Sequence, residues 1–107
     1  MTAFTLDDLA ARVTERAQAS ADVSYTRRLL DKGVAHCAKK LGEEAIETAL
    51  AAVGEERERV IAEAADLLYH LLVLLEARGI ALGEVEAALA GRLSRSGLEE
   101  KASRPRE

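Results

Sequence analysis

The chain has 107 residues, a net charge of −4, and hydrophobic residues at 49% of its positions, which is the profile of a globular chain of one domain's size and excludes a disordered one. Its acidic balance argues against a general nucleic-acid binder, because such proteins carry basic surfaces. Ala, Leu, Glu and Arg are abundant, and these residues favour helices. We expect one all-α domain over residues 1–107, with 95–107 as a polar tail.

Signals for export or membrane insertion are missing from the sequence. The N-terminal MTAFTLDD lacks the basic start and long apolar run of a signal peptide. The longest apolar block, LLVLLEA, is far shorter than the ~20 residues that span a bilayer. Cys37 is the one cysteine, which excludes an internal disulfide and suits a reducing compartment. We expect a cytoplasmic protein with no membrane or nucleic-acid partner.

Five helices follow one another along the sequence. Thr5 and Ser24 are typical N-caps for the first two, which we expect to run to about residue 19 and to Gly33. The third is predicted from Val34 to residue 53, ending at Gly54. The fourth is predicted from about residue 55 or 56 to 79, and the fifth from after 81 to about 94. With no strand signal, we expect a bundle of about five helices in which the third and fourth form a central antiparallel hairpin.

The third helix carries an apolar stripe and a charged strip side by side. The stripe recurs at steps of three and four residues, which predicts that it faces the core; its members are Val34, Ala38, Leu41, Ala45, Ala49 and Ala52. Lys40, Glu44 and Glu47 form the strip at its edge. Glu43 is predicted to point toward solvent.

The fourth helix is leucine-rich on nearly every side of its second half, which predicts burial all round. One polar strip interrupts this pattern and consists of Arg59, Glu63, Asp66 and His70. Charged side chains are rarely buried unpaired. Such a strip in a core-like helix therefore indicates ion pairs or a bound ligand.

A hairpin that turns near Glu55 places the two polar strips level with one another. Glu47 then faces Glu63, and Glu44 faces Asp66. Within each helix the acids are about 4.5 Å apart along the axis, and packed axes lie roughly 8–10 Å apart. A divalent cation would relieve the repulsion of four converging carboxylates, and their hard oxygen atoms suit Mg²⁺, Mn²⁺ or Ca²⁺.

Mg²⁺ commonly binds through carboxylates together with substrate phosphates, which favours phosphoanhydride chemistry. The alternative is a structural role, since an acid pair three residues apart is often a solvated face or an ion-pair partner, for example Glu44 with Lys40. His70 is interpreted as a packed histidine rather than a ligand.

Several segments resemble the phosphoribosyl-ATP pyrophosphohydrolase family: SYTRRLLDKG, KKLGEEAIE, EAADLLYHLLVLL and SGLEEKASR. The pairing of E-x-x-E with E-x-x-D is shared with the wider all-α, MazG-like nucleotide pyrophosphohydrolase superfamily. The other segments are more specific to the phosphoribosyl-ATP branch.

The resemblance implies Mg²⁺-dependent hydrolysis of the α–β phosphoanhydride of 1-(5-phosphoribosyl)-ATP, the second step of histidine biosynthesis, by a homodimer. By motif match Glu44, Glu47, Glu63 and Asp66 would be the metal ligands, with Mn²⁺ a possible substitute, and Glu43 would position water or support the ligands.

Basic residues near these motifs are candidates for phosphate contacts. Lys40, Arg27, Lys101 and Arg104 are the predicted substrate-binding residues. Arg28 and Lys32, on the short second helix, are interpreted as solvated charges.

Two other functions fit the same sequence features. A housecleaning pyrophosphohydrolase of free (deoxy)nucleoside triphosphates would use the same carboxylates. A non-enzymatic helical dimerisation module would merely pair them with cations.

Overall fold

The structure is a computed structural model that describes residues 3–54, 56–94 and 101, and all regular secondary structure within these residues is helical. The helices are α1 (Leu6–Ala17), α2 (Tyr25–Asp31), α3 (Val34–Gly54), α4 (Arg57–Ala77) and α5 (Leu82–Leu93). The predicted all-α fold with five helices is confirmed. The predicted tail, 95–107, lies outside the described residues except for position 101.

Local chemistry sets the helix ends that the sequence predicted. The Thr5 hydroxyl accepts a hydrogen bond from the backbone N–H of Asp8 (3.1 Å), and the Asp8 carboxylate accepts one from the N–H of Thr5 (2.9 Å), which completes a capping box. Gly33 and Gly79 adopt φ angles of 96° and 67°, a left-handed conformation that ends α2 and α4 at low steric cost. α1 ends at Ala17, two residues before the predicted end.

α3 and α4 form the central hairpin and make the most extensive helix–helix contact within the described residues. α1 and α2 pack against α4, while α5 contributes no buried residue. The main apolar cluster lies where the first four helices meet and consists of Val13, Leu29, Cys37, Leu72 and Val73. This arrangement fixes the polar strips of α3 and α4 between the two longest helices.

The apolar stripe predicted for α3 does not form its packed face. Ala38, Ala45, Ala49 and Ala52 are exposed. The buried residues of α3 are instead Cys37 and Ala51, and Glu44 is half-buried beside them. The prediction was wrong by about a quarter turn, because alanines and larger apolar residues lie on several sides of this helix and its polar strip is the side that meets α4.

The prediction that α4 is buried all round is also wrong for the single chain. Leu72 and Val73 are buried, but Leu68 and Ile61 are exposed. Their side chains lie on a face of α4 that no described helix covers well.

No helix among the described residues combines the length and apolarity needed to cross a membrane.

Candidate active site

Carboxylates from α3 and α4 converge at the centre of the hairpin. One oxygen from each of Glu44, Glu63 and Asp66 can be chosen so that all three lie within 4.8 Å of one another. Glu63 is almost wholly buried, with 6% of its surface exposed, whereas Asp66 reaches solvent. The structure therefore brings together three of the four acids that the sequence placed at two matching heights.

Glu47 completes this carboxylate cluster at its edge. Its carboxyl group is exposed to solvent, and it adds to the effects that raise the pKa of both Glu44 and Glu63. Glu43, by contrast, is exposed to solvent, as predicted, and pairs with Lys40 at 3.3 Å.

The electrostatics of the cluster disfavour a full complement of negative charges. Burial raises the pKa of Glu44, and the neighbouring Glu47 carboxyl raises it further. Burial likewise raises the pKa of Glu63, with Glu47 again adding to the effect, while the charge of Arg59 opposes it. Arg59 contacts Glu63 at 3.3 Å through the guanidinium Nη1 and the carboxylate Oε1.

One buried oxygen atom of Glu44 and one of Glu63 lack a hydrogen-bond donor within the part of the chain that the structure describes. Oε2 of Glu44 and Oε2 of Glu63 are inaccessible to solvent and have no hydrogen-bond partner among the described residues. Buried carboxylate oxygens without donors are costly, and a cation would satisfy them. The donor set, made only of carboxylate oxygens, fits a hard divalent ion such as Mg²⁺ or Mn²⁺.

The predicted substrate-binding cations are placed at different distances from the cluster. Lys40 lies one helical turn before Glu44 on the same side of α3. Arg27 is engaged elsewhere: it pairs with Asp31 at 2.8 Å and donates to the Ala17 carbonyl at 3.0 Å, which ties α2 to the end of α1.

Of the two predicted substrate contacts in the tail, one lies at a described position. Lys101 is exposed and helical. Arg104 lies outside the described residues, so its predicted substrate contact stays a prediction.

His70 and Tyr69 support the wall of the site next to the carboxylates. His70 is buried, and burial lowers its pKa, so its neutral form is favoured. Its ring meets Tyr69 edge-on at 5.1 Å, and the Tyr69 hydroxyl shares a hydrogen bond with Thr26 at 2.6 Å. His70 is thus a packed histidine in this structure, in agreement with its interpretation from sequence.

A second feature beside the cluster, a cleft between α2 and α3, was missed by the sequence prediction. Its volume is about 550 Å³, and it is lined by Tyr25, Arg28, Leu29, Asp31, Lys32, His36 and Lys40. A usable signal was present, because Lys32, His36, Lys40 and Glu44 recur every four residues. The break at Gly33 places Lys32 and the other three residues in different helices, so the spacing was not recognised as one series.

Comparison with known proteins places this arrangement in a family. The family model for phosphoribosyl-ATP pyrophosphohydrolase matches residues 6–92, which include the hairpin and its carboxylates. A phosphoribosyl-ATP pyrophosphatase 1 of Bradyrhizobium diazoefficiens is 65% identical over 97% of this chain and 98% of its own length. A phosphoribosyl-ATP pyrophosphatase of Nitrobacter hamburgensis is 58% identical over the whole of both chains.

The phosphoribosyl-ATP pyrophosphatase 1 of Rhodopseudomonas palustris is 61% identical, again over the full length of both chains. These matches leave no substantial part of the described helices unaccounted for, and with the family model they show that the chain belongs to the phosphoribosyl-ATP pyrophosphohydrolase family.

Proposed function

We propose that this protein hydrolyses the α–β phosphoanhydride of 1-(5-phosphoribosyl)-ATP, with Mg²⁺, to phosphoribosyl-AMP and pyrophosphate in histidine biosynthesis. The observation that carries the proposal is the convergence of Glu44, Glu63 and Asp66, with two buried oxygens that lack donors. Family membership supports the choice of substrate over a free nucleoside triphosphate.

In this proposal Glu44, Glu47, Glu63 and Asp66 hold the ion. When bound, Mg²⁺ supplies positive charge at the phosphoanhydride, and Mn²⁺ would do the same. Arg59 holds Glu63 in place through its 3.3 Å contact, so that the second oxygen of Glu63 stays directed into the cluster.

The remaining polar residues of α3 act on substrate and water. Glu43 lies one position before Glu44, is solvent-exposed and pairs with Lys40. In this proposal its carboxylate orients a water molecule for attack on phosphorus or supports the metal ligands. Lys40 contributes a positive charge toward the phosphates from one turn away. Arg27, Lys101 and Arg104 are retained as proposed substrate contacts. Hydrolysis adds water across the P–O–P bond, and pyrophosphate departs as the leaving group.

The protein acts as a homodimer in the cytoplasm in this proposal. Apolar side chains on the outer side of α3 support the dimer, because Ile46 and Leu50 are 63% and 65% exposed in the single chain. The single, buried cysteine suits the cytoplasmic assignment.

Pyrophosphate release from phosphoribosyl-ATP tests the proposed activity. We expect release by the wild type with Mg²⁺, none with EDTA, and a loss of at least about a hundredfold in kcat for Glu47→Gln, since it removes a charged group from the ion's shell. Glu86→Gln is the matched control, because Glu86 is an exposed acid on α5 outside the cluster. This variant should retain wild-type rates.

Two outcomes would contradict the proposal. Turnover of dCTP, dUTP or ATP with none of phosphoribosyl-ATP would assign the chain to nucleotide housecleaning. If calorimetry detected no binding of Mn²⁺ or Mg²⁺, even with nucleotide present, the cluster would be a structural ion-pair network in a dimerisation module.

A further inference from the structure

The cleft between α2 and α3 has the shape and lining of a binding site for an anionic, partly planar group. Its volume, about 550 Å³, is within the ordinary range of small-molecule sites. Leu29 forms a buried floor, and Tyr25 offers an exposed ring at its edge. The Tyr25 ring lies nearly parallel to that of Tyr69, with 6.5 Å between centroids.

The charges that line the cleft are predominantly positive. Lys32 has no ion pair among the described residues and is exposed. Arg28 is anchored by hydrogen bonds from its guanidinium to the carbonyls of Ala21 and Asp22, at 2.6 and 3.3 Å. The one acid of the lining, Asp31, is already paired with Arg27. The local surplus of positive charge therefore favours an anion.

Lys40 joins this cleft to the carboxylate cluster. It lines the cleft, and Glu44 lies one turn further along α3, a rise of about 6 Å. A single ligand that occupies both features would therefore carry a group for the metal at one end and an anionic group at the other.

We propose that the α2–α3 cleft binds the non-reacting 5-phosphoribosyl end of the substrate, with its terminal phosphate monoester at Lys32, Arg28 and His36. The inference rests on the proposed function. The purine of phosphoribosyl-ATP bears two ribose groups, one with the triphosphate and one with a phosphate monoester, whereas ATP has only the first. Tyr25 then packs against the ribose or the base.

This site would act in specificity rather than in bond cleavage. Contacts to a remote phosphate are made equally in the bound substrate and in the transition state, so their loss raises KM and leaves kcat largely unchanged. ATP lacks the phosphoribosyl group and gains nothing from the cleft.

Kinetics of Lys32→Gln test the inference against Lys39→Gln. Lys39 is an exposed lysine of α3 outside the cleft lining, so both variants change the net charge equally. Loss of a charge-assisted phosphate contact should raise KM for phosphoribosyl-ATP about tenfold in Lys32→Gln, with kcat within about twofold of wild type. Lys39→Gln should keep the wild-type KM, and both variants should keep the wild-type affinity for Mn²⁺.

Inhibition by two small anions distinguishes which end of the substrate occupies the cleft. Ribose 5-phosphate should inhibit the wild type and lose about tenfold in affinity in Lys32→Gln, whereas inhibition by pyrophosphate should not change. Weaker inhibition by pyrophosphate, with ribose 5-phosphate unaffected, would overturn the inference and place the outer phosphates of the triphosphate there.

Failure of the inference can be separated from failure of the proposed function. An active wild type whose KM responds equally to both lysine substitutions would overturn the inference alone. A wild type that releases no pyrophosphate from phosphoribosyl-ATP would overturn the function, and the inference with it.

Discussion

The charge of Glu63, at the centre of the hairpin, has opposite effects on metal binding and on the stability of the metal-free fold. Its Oε1 contacts Arg59, but its Oε2 is buried without a donor, and three other carboxyl groups lie nearby. The charge that makes it a suitable metal ligand therefore destabilises the metal-free fold. Residues at binding sites often destabilise the ligand-free protein, and binding of the ligand restores the lost stability.

Glu63→Gln should separate these two effects. Glutamine keeps the shape and an acceptor for Arg59 but removes the charge, so we expect the variant to melt at a higher temperature than wild type in EDTA and to lose the stabilisation that Mn²⁺ gives the wild type. Differential scanning fluorimetry with EDTA or Mn²⁺ measures both. Glu86→Gln should shift neither transition.

The pH dependence of this difference follows from the raised pKa. The folded state holds the proton on Glu63 more tightly than the unfolded state, so stability from this group is full below the ordinary glutamate value of 4.5 and is lost as pH rises through the raised pKa. The advantage of Glu63→Gln in EDTA should therefore grow with pH above about 4.5. An advantage that shrinks toward neutral pH would contradict this account of the cluster.

Much of the carboxylate cluster was predictable at the residue scale. The spacing of Glu44 and Glu47 on one helix, and of Glu63 and Asp66 on the next, predicted these acids at matching heights, and the structure brings oxygens of Glu44, Glu63 and Asp66 within 4.8 Å of one another. The asymmetry within the cluster was not predictable, because it depends on side-chain directions: Glu63 is buried while Asp66 and Glu47 are exposed.

Among the elements, α2 depends most on a single side chain. The Ser24 hydroxyl accepts a hydrogen bond from the backbone N–H of Arg27 at 3.0 Å and donates one to the carbonyl of Arg16 at 2.8 Å. It thus begins α2 and fixes this short helix to the end of α1. Ser24 is 1% exposed, so solvent has little access to its hydroxyl group.

Ser24→Ala should lower the free energy of unfolding by about 1–2 kcal/mol, because it removes the N-cap acceptor of the Arg27 N–H. It also removes one donor to the Arg16 carbonyl, which keeps its bond from the Ala19 N–H. Thr5→Ala, at the exposed cap of α1, should cost about 0.5–1 kcal/mol, since water can solvate the groups that it frees. Urea denaturation of both variants measures the difference. Equal costs would show that the bond to Arg16 adds nothing.

Helix ends were more predictable than helix faces. Caps and glycines are local signals, and they placed α2 and the ends of α3 and α4 close to their observed positions. The face that α3 buries depends on what its partner helix presents, and the alanines of α3 do not discriminate between sides. The α2–α3 cleft was hidden for a related reason, because the angle between these helices is set by the left-handed turn at Gly33 and not by residue spacing.

At the scale of the whole molecule, the core of the single chain is small. The fully buried hydrophobic residues of the described part are Val13, Ala17, Leu29, Cys37, Ala51, Leu72 and Val73. A chain of this length gains limited stability from its own core. In contrast, the outer side of α3 exposes Ile46, Leu50 and Val53, by 63%, 65% and 88%. These apolar side chains would add to a hydrophobic core if another surface covered them.

The proposed homodimer buries this outer side of α3, and Ile46→Lys tests it. Burying an isoleucine side chain contributes about 1.5–3 kcal/mol, so a lysine there should weaken dimerisation by at least about tenfold in Kd. Val23→Lys is the matched control, since Val23 is 68% exposed in the loop between α1 and α2. Sedimentation equilibrium should show the wild type and Val23→Lys as dimers and Ile46→Lys shifted toward monomer. Should the wild type sediment as a monomer at every concentration, the exposed residues of α3 would need another partner, and the small core would have to suffice alone.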